Sequence, residues 1–270
     1  MIFNNDFYIN VALFLVDFLF TRIPISGLFV NYPAYLPSNY ILTIIYFLSY
    51  YLIYANFFSI TLICFNRMTS VVFPYSSNTF WYHYINYCIA LVYILPLIPT
   101  WQLLSYEVYF ISLRANTSGY QMVYRLGVIP QFVRNSTALV AFSFALSIIC
   151  VIANLITITR YKKAVQLMMS ATQNAFHRRK TRRTEVAMVA IAIVVCVSLV
   201  LQCILQTLIM LFVNTKLIRE TAQDMRAFCL DLSICCPPWI LYYTTISKYA
   251  TNGGSMASVE NRTSPIKSQY

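Results

Sequence analysis

The sequence predicts an all-α, polytopic membrane helix bundle, and three observations predict it. First, 59% of its 270 residues are hydrophobic and 10% are charged, whereas a soluble domain carries about 25% charged residues. The mean hydropathy of +0.64 has the same meaning: one soluble core cannot hide so much apolar surface. Second, six apolar segments can be drawn, at 7–30, 40–65, 84–104, 137–160, 185–213 and 225–247. Each reaches the roughly 20 residues that a membrane-spanning helix needs. Third, none shows the alternating segments of about ten residues that build a barrel. Helices satisfy their own backbone groups in hydrocarbon and are the natural alternative. A soluble enzyme, a nucleic-acid-binding domain and a disordered chain are thereby excluded. Residues 1–250 form the bundle. Residues 251–270, rich in Ser, Thr, Asn and Gly, read as a disordered cytoplasmic tail.

Each segment has its own marks. The first, 7–30, is no signal peptide, because no basic residue precedes it and Asp17 and Arg22 lie within it. The second, 40–65, sets Tyr46, Tyr50 and Tyr54 four residues apart on one helix face. It ends in Asn66-Arg67. The third, 84–104, holds Pro96 and Pro99, which kink a helix by removing backbone donors. The fourth, 137–160, leaves through Arg160-Tyr161-Lys162-Lys163, and a run from His177 to Arg183 leads into the fifth, 185–213. The sixth, 225–247, contains Asp231 and the pair Pro237-Pro238. All eight cysteines lie in apolar stretches and read as small buried side chains. Their spacing matches no zinc site, and neither a metal nor another cofactor is expected.

Charge sets the orientation. The net charge is +11, and eight of the 19 Lys and Arg residues fall between Arg160 and Arg183. That run reads as a cytoplasmic loop beside anionic membrane lipid, with no nucleic-acid partner. Twelve basic residues fall on the side holding Arg67, the 160–183 run and the tail, and five on the other. The richer side is predicted to be cytoplasmic, with both termini inside. Two glycosylation sequons, at Asn116 and Asn135, fall on the opposite, external side.

Asp17, Arg22 and Asp231 are intramembrane polar residues, which usually face protein or water. At about 1.5 Å per residue, Arg22 lies roughly 22 Å from the inner face and Asp231 roughly 24 Å. The matching depths allow a buried Arg22–Asp231 pair, with Arg22 snorkelling outward to the interface as the alternative reading. Asp17 lies deeper inside, with no cation at its depth.

The sharpest local pattern is Asn66-Arg67-Met68-Thr69-Ser70-Val71-Val72-Phe73-Pro74 with Trp81 downstream. It resembles the serpentine receptor class gamma chemoreceptors of nematodes, with the sister class v second. The basic exit at 160–163 and Pro237-Pro238-Trp239-Ile240-Leu241 after Asp231 support the resemblance. It covers residues 7 to about 248. It implies a seven-helix receptor of G-protein-coupled type, used in chemosensation and placed in the plasma membrane of sensory cilia. With Arg67 on that family's third-helix arginine, 7–30 becomes the second helix. The expectation is then a bundle lacking its first helix, which also fits an amino-terminal stub with no positive charge. The resemblance implies G-protein coupling through Asn66 and Arg67. Asn66 stands where rhodopsin-like receptors usually carry an acid, so any latch on the arginine is expected to be weak. Pro237 and Pro238 are expected to form a hinge or a static kink. The implied partners are a heterotrimeric G protein and an external small molecule.

An enzyme fits poorly. His83 and His177 are far apart and are placed in cytoplasmic loops, and the chain has no Gly-x-Ser-x-Gly and no nucleotide loop. A six-span transporter or channel is the alternative, but matched repeats with broken helix pairs are not visible.

Overall fold

The computed structural model describes residues 2–27, 40–112, 119–124, 135–171, 175–212 and, in the last predicted segment, 221, 222, 225, 227–232 and 234. Helix α1 (Ile2–Asp17) runs into a π-helical turn, Phe18–Arg22, and then into α2 (Ile23–Ser26). Gly27 closes this element with φ 69°, a left-handed cap that glycine adopts without a Cβ clash. Then come α3 (Tyr40–Val72), α4 (Ser77–Ile94), α5 (Leu97–Thr100) and a 3-10 turn, Trp101–Ser105. Strands β1 (Val108–Ser112) and β2 (Tyr120–Tyr124) pair antiparallel, Val108 opposite Tyr124 and Ser112 opposite Tyr120. Two long helices follow, α6 (Asn135–Ala171) and α7 (Ala175–Leu211).

The architecture is that of a polytopic helical membrane protein. Five helical stretches among the described residues are long and apolar enough to cross a bilayer: Asn5–Ser26, Tyr40–Val72, Ser77–Ser105, Thr137–Lys163 and Ile193–Leu211. Most of the sixth predicted segment, 225–247, lies outside the described residues. Side chains such as Leu15, Ile148, Ile152 and Ile193 point outward, where hydrocarbon is their natural surrounding.

Helix α3 is the centre of the bundle. Its Tyr54, Phe57, Ile60 and Cys64 pack on Leu139, Leu146, Cys150 and Ala153 of α6 and Leu199 of α7. Its opposite flank meets Ile9 of α1 and Val92 of α4 through Ala55. Buried Asn56, Ser59, Ser143, Ser147 and Asn154 add small polar groups to these seams, as expected where helices associate in lipid through close contact and hydrogen bonds.

Several helix ends differ from the predicted ones. Helix α3 continues to Val72, seven residues past the predicted span end at 65. Its 33 residues reach about 50 Å, well beyond the roughly 30 Å hydrocarbon layer. Pro74 then prevents further growth. The basic run 160–183 was expected to be a loop. Instead α6 extends through Ala171 and α7 begins at Ala175. Hydropathy marks where lipid ends, not where the helix ends, and Lys, Arg, Gln and Met are good helix formers. His83, expected in a loop, sits in α4. The third segment is broken at Pro96, where Thr100 Oγ1 donates to the Pro96 carbonyl at 2.6 Å.

Candidate functional site

A cavity of about 330 Å³ opens at one end of the bundle. Asp17, Arg22, Tyr46, Ser49, Tyr50 and Met122 are among its lining residues, with Ala227, Phe228 and Leu230 closing the far wall. It thus lies between α1 and its π-turn, the first half of α3, β2 and the last segment.

Arg22 organises one wall. Its Nη2 and Nη1 donate to Asp231 Oδ1 and Oδ2 at 2.7 and 2.8 Å, a bidentate fork suited to the planar guanidinium. Its Nε donates to Asp17 Oδ2 at 2.7 Å. Nη2 also reaches the Ala227 carbonyl at 3.4 Å, and the guanidinium carbon lies 5.6 Å from the Phe14 ring centroid. The structure brings all three intramembrane charges together. Asp17 was expected to have no cation at its depth, and that expectation is corrected here. In an α-helix, residues 17 and 22 point about 140° apart. The π-turn Phe18–Arg22 lies between them, and i→i+5 winding stacks position 22 over position 17. One extra residue in a turn thus builds the triad.

The hairpin caps this end. Thr43 Oγ1 of α3 donates to the Tyr106 carbonyl at 2.9 Å, and Val108 is buried against Leu42, Tyr46 and Leu103. The connection between α5 and α6 contains no cysteine, and these contacts attach its strands to the bundle. Tyr46 and Tyr50 pack with ring centroids 4.9 Å apart. Tyr54, one turn deeper, is fully buried and meets Phe142 edge-on.

The other end of α3 carries Asn66 and Arg67, both half-buried. The Asn66 carbonyl accepts from Thr69 Oγ1 at 3.0 Å and Ser70 Oγ at 2.8 Å. Trp81 of α4 donates from Nε1 to Thr69 Oγ1 at 2.9 Å and meets Phe65 edge-on. That bond ties the turn bearing Arg67 to the next helix. The acidic group near Arg67 comes from α1: Arg67 interacts electrostatically with Asp6. Asp6 accepts from Ser59 Oγ at 2.7 Å and from Asn10 Nδ2 at 3.0 Å. Asp6 stands one residue before the predicted span start at 7 and so falls outside the predicted segments. Steps of four and three residues place Asp6, Asn10 and Leu13 on one helix face, and that periodicity was the available signal.

The family model for the serpentine type 7TM GPCR chemoreceptor Sru matches residues 1–246. This chain belongs to the Sru family. A search of curated proteins finds no match. The protein is therefore a GPCR-like chemosensory membrane receptor, integral and multi-pass, from a family of receptors. The motif resemblance pointed to class gamma, with class v second. The serpentine chemoreceptor level of that reading stands, and the class matched is Sru.

For this Sru receptor, the remaining predicted site residues stand as follows. Pro237 and Pro238 lie outside the described residues, as does Asn116. Asn135 is the first residue of α6. Of the cysteines, Cys64, Cys150, Cys203 and Cys229 are buried and unpaired, Cys88 and Cys196 are half-buried and unpaired, and Cys235 and Cys236 lie outside the described residues.

The Trp81–Thr69 bond gives a first test in the Sru receptor. Trp81→Phe keeps a ring but removes the buried donor. A net loss of about 1 kcal/mol is expected, against about 3 kcal/mol or more for Trp81→Ala, which also leaves a void. Thermal unfolding of the solubilised protein measures both. Native-like stability of Trp81→Phe beside a large loss in Trp81→Ala would show that the hydrogen bond contributes nothing beyond packing.

Proposed function

We propose that this receptor binds a small molecule from outside the cell in the cavity beside Arg22 and signals to a cytosolic heterotrimeric G protein at the Arg67 end of α3. The proposed setting is the plasma membrane of sensory cilia. One observation carries the reading: a single unbroken helix holds both ends. Tyr46, Ser49, Tyr50 and Ile53 of α3 line the cavity, and Arg67 follows Tyr46 by 21 residues on the same helix. That separation is about 32 Å, close to the thickness of the hydrocarbon layer. A shift of α3 caused by an occupant is thereby delivered to the opposite membrane face.

The volume of about 330 Å³ falls at the lower end of ordinary ligand sites, and a mainly apolar lining with a few convergent polar groups is typical of them. The basic continuation of α6 and α7 around residues 160–183 supplies positive charge on the proposed cytosolic side, for anionic lipid and for the G protein alike. Pro237 and Pro238 belong to the proposal as the hinge of the last helix.

Filling the cavity tests the reading. Ser49 lines the cavity, and its hydroxyl donates back to the Ile45 carbonyl at 2.9 Å. Ser49→Trp is expected to reduce the response to a panel of volatile and water-soluble small molecules by at least about tenfold, with normal surface expression. An unchanged response would place ligand recognition elsewhere.

A further inference from the structure

We infer that the occupant of this cavity is a small organic cation, a protonated amine on a compact apolar or aromatic skeleton, anchored at Asp17. The inference rests on the reading of the cavity as the ligand site and adds the chemical class.

The charges at the wall do not cancel. Among the described residues, two carboxylates, Asp17 and Asp231, face one guanidinium, Arg22, which leaves these three groups with a net charge of −1. An uncompensated charge at membrane depth is costly. The two carboxylates also differ. Both oxygens of Asp231 accept from Arg22. Asp17 uses only Oδ2, and its Oδ1 has no hydrogen-bond partner among the described residues. Asp17 itself lines the cavity. The carboxylate with spare acceptor capacity is therefore the one an occupant reaches, and an ammonium, with its three donors, complements it.

Arg22 is closed to the opposite class. Its five N–H groups are the obvious receptor for an acid, yet four already donate to protein, and the Phe14 ring stands beside the guanidinium. An anionic molecule would have to displace an aspartate and enter a wall already negative. The remaining lining favours a cation as well. Phe20, Tyr46, Tyr50 and Phe228 bring aromatic rings to the cavity, and ring faces attract ammonium groups at short range.

The test uses the full chain in lipid nanodiscs and three probes of similar size: 2-phenylethylamine, 2-phenylethanol and phenylacetate. Binding is measured by thermal stabilisation and by direct titration. The amine should bind at least tenfold more tightly than the alcohol, with the acid weakest. Asp17→Asn should remove that preference, because the amide retains shape and loses charge. Since Arg22 keeps Asp231, the variant should remain folded, which the unfolding transition checks. Equal binding of amine and alcohol would mean that the wall is neutralised by a proton, and would overturn the inference. So would tighter binding of the acid. In both cases, binding abolished by Ser49→Trp would leave the cavity as a ligand site with a different class of occupant. If none of the three probes binds, the class assignment fails, and the small-molecule panel on Ser49→Trp decides the broader reading separately.

Discussion

Arg22→Met is expected to be among the most damaging single substitutions in this receptor. Removing the guanidinium leaves Asp17 and Asp231 facing one another in a low-dielectric wall with no cation between them. Breaking a buried pair from one side costs roughly 3–5 kcal/mol. The Asp231 side chain remains 36% accessible, so the lower end, about 3 kcal/mol, is the expected loss. That is a factor of more than about a hundred in the folding equilibrium, read as a sharp fall in surface expression and in the thermal midpoint. Asp17→Asn should cost only about 1 kcal/mol, because Arg22 keeps its bidentate partner. The triple variant Asp17→Asn, Arg22→Met, Asp231→Asn should recover most of the stability, since neutral replacements of a whole ionic cluster are often harmless. The order of these three variants is the measurement. Native-like stability of Arg22→Met alone would show that the triad holds nothing in place.

The same triad shows what a sequence discloses and what it hides. The apolar segments were legible because bilayer thickness fixes how long a span must be, and no tertiary contact can change that. Depth made the Arg22–Asp231 pair possible, since 1.5 Å per residue applies in any straight helix, but did not separate it from an Arg22 that snorkels outward; the bidentate contact decides for the pair. The Asp17–Arg22 contact was not, because it depends on five residues adopting π winding, and Phe18-Leu19-Phe20-Thr21-Arg22 carries no mark of it. Helix ends at 66–72, 161–171 and 175–184 were hidden for another reason: polar residues leave lipid without leaving the helix. The hairpin had a readable signal in Val108-Tyr109-Phe110-Ile111-Ser112 and Tyr120-Gln121-Met122-Val123-Tyr124, both rich in β-branched and aromatic residues. Apolar-segment reasoning does not reach it, because it lies in a connection between spans. That hairpin matters to the site, because Tyr120, Gln121 and Met122 complete the cavity wall.

Arg67→Ala is expected to cut G-protein coupling by at least about tenfold. In the proposed complex the guanidinium donates charge-assisted hydrogen bonds to backbone carbonyls of the partner. Each contributes roughly 1.5–3 kcal/mol, and 1.4 kcal/mol is a factor of ten. Arg67→Lys should restore only part of the signal, because an ammonium lacks the planar fork. The structure changes how this experiment must be arranged. Arg67 is half-buried within α3, five residues before the helix ends at Val72, and Asp6 of α1 lies within its electrostatic reach. Losing the arginine therefore also leaves Asp6 with less compensation, and some fall in expression is expected from that source alone. Adding Asp6→Asn removes this contribution, because the amide can still accept from Ser59, whose hydroxyl now donates to Asp6 at 2.7 Å. The double variant should regain expression while coupling stays low, which separates a signalling role from a structural one. Ligand-evoked G-protein activation and surface expression are measured on the same cells. Full activation by Arg67→Ala at native expression would reduce this arginine to a membrane-face anchor and remove the site-level support for coupling at this end of α3.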